Sequence, residues 1–172
     1  MTDATEPRPG ARQWGLRGGL IALAVLVADQ ASKLWIVHGL KLGLGDSIAL
    51  LPVLSLSRVH NYGISLGLFQ AGNDWARWGL VALTVAIAVW LVRWLRRAEH
   101  WRVGLGVALI LGGAVGNIID RSLYGYVVDF VHVHVGGWSF YVFNVADSAI
   151  TIGVVLLLWD SLTGARTAQT RG

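Results

Sequence analysis

Six carboxylate or amide side chains, Asp29, Asn117, Asp120, Asp129, Asn144 and Asp147, fall inside or at the ends of stretches otherwise apolar enough to cross a membrane. An ionised carboxylate in hydrocarbon costs about 2.5 to 3.5 kcal/mol even on lenient insertion scales, so several of them require a reason beyond packing. Asn117, Asp120 and Arg121 are spaced i, i+3, i+4, share one helix face and are expected to form a hydrogen-bonded network in which Arg121 keeps Asp120 ionised. Asn144, Asp147 and Ser148 repeat that spacing, but Val145, Ala146, Ala149 and Ile150 surround Asp147 and no cation is near it in sequence. Asp129 sits likewise among Val127, Val128, Phe130 and Val131. Two poorly solvated carboxylates without dedicated cations suggest a pair sharing one proton. In such a pair one member activates water, the protonated member polarises a carbonyl, and the two titrate as a unit.

Other candidates are weaker. Asp29 and Lys33, spaced i, i+4 in the order that best supports a helix, read as a structural ion pair. Ser32 beside Lys33 cannot act with it as a hydrolytic dyad, because adjacent helical residues project about 100° apart. His132 and His134 alternate on a segment with strand character and could form half of a zinc site, with His60 elsewhere, but no carboxylate motif accompanies them and an interfacial loop is the simpler reading. No cysteine is present, which removes disulfides, thiolate catalysis and Cys-based metal sites. No cofactor or metal is implied.

The elements that must position these groups follow from composition. Of the 172 residues 55% are hydrophobic and 14% charged, with a mean hydropathy of +0.58, far from the soluble norm of about 25% charged. The chain therefore reads as an all-α membrane protein, a single integral-membrane domain with four spans of about 20 residues: Leu16 to Val37, Trp75 to Leu95, Val103 to Leu123 and Val142 to Trp159. The first has arginines ahead of it like a signal peptide, but its apolar pattern resumes past Asp29 through Leu34, Trp35, Ile36 and Val37, which a cleaved leader would not need. The segment Gly39 to Asp74 alternates apolar residues before a turn-like Asn61-Tyr62-Gly63, so a small interfacial sheet is expected there, with Ile64 to Phe69 touching lipid. Ala108, Gly112 and Gly116 offer a smooth face for close helix approach. Met1 to Gly10 and Gly164 to Gly172 read as polar tails.

Arginines set the orientation. Arg8, Arg12 and Arg17 precede span one, Arg93, Arg96, Arg97 and Arg102 lie between spans two and three, and Arg166 and Arg171 follow span four, so both termini are expected to be cytoplasmic. Trp14, Trp90, Trp94, Trp101 and Trp159 then fall near the inner interface, and Trp35, Trp75, Trp78 and Trp138 near the outer one. At about 1.5 Å per residue, Asp29 and Asn117 both lie about 20 Å along their spans, in the outer half. Asn144 and Asp147, near the start of an inward-running span, reach the same level, with Asp129 in the preceding segment. A proton-coupled carrier would need carboxylates reachable from both sides, yet the inner halves hold only Thr84 besides flanking arginines. A noncatalytic bundle could use the same carboxylates as hydrogen-bonding glue. The net charge of +4 and pI near 10 reflect arginines that flank spans and meet anionic lipid, so no nucleic-acid partner is indicated.

Five stretches carry a resemblance: Asp29-Gln30-Ala31-Ser32-Lys33, Asn61-Tyr62-Gly63-Ile64-Ser65, Gly112 through Arg121, Val127-Val128-Asp129-Phe130 and Phe143-Asn144-Val145-Ala146-Asp147. In this order the chain resembles bacterial lipoprotein signal peptidase (signal peptidase II) from Asp29 to about Gly153. Ile64-Ser65-Leu66 departs from the Ala-Ala-Phe of many members, which bears on substrate fit. The resemblance implies an aspartic endopeptidase of the inner membrane, with its site near the outer face, that cuts prolipoproteins before a cysteine carrying diacylglyceryl. Asp129 and Asp147 would be the catalytic pair. Asn61, Gly63, Asn117, Asp120, Arg121, Asn144, Ala146, Asp29 and Lys33 would support the site or contact substrate and globomycin-like peptide inhibitors. It also implies a surface cradle after span one and a short interfacial helix between spans three and four, the latter from the stretch around Arg121 to Gly137.

Overall fold

A computed structural model describes residues 9–64, 69–70, 74–136 and 138–169. Helices α1 (Pro9–Leu34, continued by a π turn at Trp35–Gly39), α2 (Asp74–Leu95), α3 (Trp101–Tyr124) and α4 (Val145–Gln169) form the bundle. Each contains a stretch long and apolar enough to cross a membrane: Trp14–Gly39, Asp74–Leu95, Trp101–Tyr124 and Val145–Thr163, with hydropathies of 1.7 to 1.9. The third is the axis of the molecule: 61% of its most apolar window is buried, against 22%, 22% and 17% for the others, whose apolar side chains face outward. This is how a bundle in lipid differs from a soluble one, since no hydrophobic force turns those side chains inward.

Small residues let α3 occupy that position. A Cβ on Gly112 would lie 2.5 Å from the Ala22 carbonyl of α1, one on Gly113 2.5 Å from the Ala146 carbonyl of α4, and one on Gly116 2.5 Å from the Asp29 carboxylate. The helices therefore approach backbone to backbone. Ala22, Ala88, Leu91, Leu95, Val107, Ala108 and Leu111 fill the rest of the core between α1, α2 and α3.

One end of the bundle is capped by a four-stranded antiparallel sheet of β1 (Ser47–Leu51), β2 (Leu54–Asn61), β5 (Val127–Val135) and β6 (Trp138–Phe143), in the order β1-β2-β5-β6. A short pair, β3 (Gly63–Ile64) and β4 (Phe69–Gln70), follows β2. The sheet expected between Gly39 and Asp74 is thus only half of the one observed. The interfacial helix expected around Arg121 to Gly137 is replaced: α3 runs through Tyr124 and closes on Gly125, which takes φ +83 and donates its N–H to the Arg121 carbonyl. The chain then enters β5. Five valines and a phenylalanine in Val127–Val135 favour the pleated state, and the open edge of β2 supplies its ladder, with Val59 opposite Asp129 and Asn61 opposite Val127.

Val142 and Phe143, expected at the start of span four, belong to β6, and α4 begins at Val145. Pro9 and Gly10 are already in α1, and Gly164 to Gln169 continue α4 rather than forming a tail. His132 and His134 are on a strand, not in a loop, bonded to Ser57 and Ser139 and to Ser55 respectively. Ser65 and Leu66, with the lipid contact expected from Ile64 to Phe69, lie outside the described residues and side chains.

Candidate active site

The site is built where β6 turns into α4. Asn144 stands between them in the N-cap position, its Oδ1 accepting the Asp147 N–H at 2.9 Å, while the Asp147 Oδ2 accepts the Asn144 N–H at 3.3 Å. This reciprocal capping box satisfies two of the donors that every helix start leaves open. The i, i+3 spacing seen in sequence is therefore a cap, and it fixes the Asp147 side chain. The same asparagine sends its amide to Asp129 Oδ1 at 2.6 Å and to the Val128 carbonyl at 3.4 Å. One fully buried residue thus holds both carboxylates.

Further amides complete the setting. Asn61 donates to Asp129 Oδ2 at 3.0 Å and is itself held by the Gly63 N–H at 3.1 Å. Asn117, from α3, donates to Asp147 Oδ1 at 3.0 Å. Neither carboxylate forms an ion pair among the described residues. Asp129 is buried, whereas Asp147 borders a groove of about 370 Å³ that runs down α4 past Ser148, Thr151 and Ile152 beneath Tyr141 and Phe143.

The other two carboxylates are held differently. Lys33 Nζ lies 2.7 Å from Asp29 Oδ2, 2.8 Å from Asp120 Oδ2 and 3.3 Å from Asn117 Oδ1, all but sealed from solvent. Asp120 is therefore neutralised by Lys33 and not by Arg121, as expected from spacing. The helical turn carries Arg121 away, and its NH1 reaches only the Asn117 carbonyl, at 3.5 Å. Its charge nevertheless acts on Asp147, Asp129 and Asp120. Asn117, Asp120 and Arg121 do not bond to one another through side chains. Asn117 reaches Asp147 on α4 and Asp120 reaches Lys33 on α1, whereas Arg121 stays on its own helix.

Gln30, not singled out from the sequence, donates to Asp120 Oδ1 at 2.9 Å, Asp29 Oδ2 at 3.2 Å and the Gly116 carbonyl at 3.4 Å. An amide in the middle of an apolar span was its signal. Asp29 Oδ1 also accepts the Ala146 N–H at 2.9 Å, a contact no spacing rule reveals.

Electrostatically the pair is strained. Burial, then the nearby Asp147 charge, pushes the Asp129 carboxyl up to about 7, against opposing pulls from the Asn61 and Asn144 amides and the Lys33 charge. A carboxyl that stays protonated near neutrality beside a second, more open carboxylate can donate a proton to a developing oxyanion while its neighbour takes one from water.

Fold and site together define a multi-pass membrane protein with a carboxylate pair at the sheet end of its bundle that forms no direct ion pair among the described residues. A family model described as Signal peptidase (SPase) II matches residues 21–163. The lipoprotein signal peptidase of Methylobacterium radiotolerans is 51% identical over 148 residues, covering 86% of each chain. That of Methylocella silvestris is 46% identical over 155 residues, 90% of this chain and 91% of the relative. A solved bacterial membrane enzyme, determined by the in meso method at 2.3 Å, superposes with a TM-score of 0.77 at 31% identity, over 87% of this chain and 89% of that one. The chain belongs to the signal peptidase II family and is an aspartic peptidase.

Proposed function

We propose that this protein removes the signal peptide from diacylglyceryl-modified prolipoproteins, cutting on the N-terminal side of the lipidated cysteine, with Asp129 and Asp147 as its catalytic pair. The observation that carries this reading is the division of labour among four carboxylates: Asp29 and Asp120 share Lys33, while Asp129 and Asp147 are held by amides alone. Asp147, beside the groove, takes a proton from the attacking water. Asp129 gives its proton to the carbonyl oxygen as the tetrahedral intermediate forms, and the pair then returns a proton to the leaving nitrogen as the C–N bond breaks.

Location supports the same reading. The site sits where α1 and α3 end and α4 begins, at interfacial depth, where a lipid-anchored cysteine presents its peptide and water has access. The short link carrying Arg96 and Arg97, with Arg102 in the first turn of α3, lies at the opposite end of the bundle, which by the positive-inside rule is cytoplasmic. The four spans and the sheet work as one domain in the bacterial inner membrane, both termini inside and the site near the outer face, open to globomycin-like peptides.

Gel-shift cleavage of a diacylglyceryl-modified prolipoprotein by detergent-purified protein, beside its unlipidated form, tests this. Cleavage of the lipidated form alone, blocked by a globomycin-like peptide, is expected. Equal cleavage of both forms would contradict the lipid requirement.

A further inference from the structure

A second cavity, of about 160 Å³, lies between the end of α1, the end of α3 and the sheet. Strand alternation separates it from the carboxylate pair: Val128, which lines it, and Asp129 project from opposite faces of β5. Its floor is electrically closed, because Asp120 is satisfied by Lys33, Gln30 and the Val128 N–H. Its outer wall is Leu34 and Val37, and Leu34 is 52% exposed on the lipid-facing side of α1.

Opposite that wall stands Arg58. Four arginine Nε atoms among the described residues are buried without an acceptor: those of Arg58, Arg77, Arg102 and Arg121. Arg77 pairs with Asp74, Arg102 with Asp160, and Arg121 acts on the site carboxylates. Arg58 forms no ion pair with a carboxylate of the described residues. Its NH1 donates to the Leu42 carbonyl at 3.0 Å and its NH2 faces His60 Nε2 at 3.4 Å, which leaves Nε without a partner on the edge it shares with NH2. That edge is the one with which a guanidinium fork-binds a phosphate. Beside it Tyr126 stacks on His60 with centroids 3.6 Å apart, and Tyr124 adjoins, an aromatic setting suited to headgroup depth.

We propose that this cavity binds an anionic phospholipid, its phosphodiester on the Arg58 guanidinium and its acyl chains leaving over Leu34 and Val37. The apolar wall is what favours a lipid over free phosphate. The test is native mass spectrometry of the detergent-purified full chain with dioctanoyl phosphatidylglycerol, dioctanoyl phosphatidylcholine and inorganic phosphate. Phosphatidylglycerol is expected to bind about ten-fold more tightly than phosphatidylcholine, and Arg58→Gln to abolish the difference. Because Arg58 also holds the Leu42 carbonyl, Val37→Trp provides a second variant that fills the cavity from its apolar wall and leaves that bond intact, and it too is expected to lose the lipid. Equal binding of the two lipids, or full phosphatidylglycerol binding by either variant, would overturn the assignment. Inorganic phosphate competing as strongly as the lipid would replace the lipid with a free anion.

Discussion

The carboxylate of Asp29, on α1, accepts the backbone N–H of Ala146, in the first turn of α4, over 2.9 Å. A helix start leaves its first N–H groups without intrahelical partners and carries partial positive charge. Asn144 satisfies one such donor from the N-cap position and Asp29 another from a different helix. The next residue is Asp147, so the peptide that carries one carboxylate of the pair is pinned by the carboxylate that Lys33 neutralises. The buried ion pair and the site are mechanically one unit.

Breaking that unit is expected to be costly. Asp29→Ala leaves the Ala146 N–H unpartnered and Lys33 short of a carboxylate, and Lys33→Met leaves Asp29 and Asp120 without their shared cation. Each should destabilise by about 3 to 5 kcal/mol, the usual cost of removing one member of a buried pair. In thermal unfolding in detergent the double variant should lose clearly less than the sum of the two, since the partners contact each other directly.

The pH dependence follows from Asp129. Its carboxyl holds a proton to about 7 in the folded protein, against about 3.9 when unfolded. Between those values the native state binds more protons than the unfolded one, so this group's contribution to stability is greatest below about 4 and falls as pH rises to about 7. Thermal scans should show that slope in wild type and lose it in Asp129→Asn. The pH profile of kcat/KM should bend downward near 7, where the shared proton leaves. Asn61→Ala removes a donor that favours the ionised form and should move that limb to higher pH.

Asn144 has two separable roles. Asn144→Ser keeps an oxygen able to cap the Asp147 N–H, so stability should change by less than about 1 kcal/mol. It removes the amide on Asp129, and kcat should fall about 10²-fold, as when one preorganised donor is deleted from an active site. A thermal scan beside a cleavage assay separates the two effects.

Helix approach can be tested at the glycines. Gly113→Ala places a Cβ 2.5 Å from the Ala146 carbonyl, pushes α4 from α3 and should cost about 1 to 3 kcal/mol with loss of activity. Gly79→Ala, where nothing lies within 4 Å, should change stability by less than about 0.5 kcal/mol. Thermal unfolding of the two variants side by side checks both expectations.

Much of this was legible in the sequence because membrane helices announce themselves by composition, and because polar residues in apolar spans are too expensive to be incidental. The ion pair of Asp29 and Lys33 followed from helical spacing. What spacing could not reveal is partnership across elements. Arg121 is one turn from Asn117 and next to Asp120, yet Lys33, 87 positions before Asp120, is the cation Asp120 meets at 2.8 Å. In Val127–Val135 the alternation of His132 and His134 carries strand character, but a loop is the simpler reading from sequence because strand pairing depends on a distant edge, here β2. Asn144 looked like one corner of a helical face, and only the turn from β6 into α4 makes it a cap.

The most direct measurement is cleavage of a diacylglyceryl-modified prolipoprotein by Asp129→Asn and Asp147→Asn, each alone, with thermal unfolding of the same preparations. Both variants are expected to fold as wild type does, and neither to turn over. Cleavage at the wild-type rate by either variant would contradict the assignment of Asp129 and Asp147 as the catalytic pair.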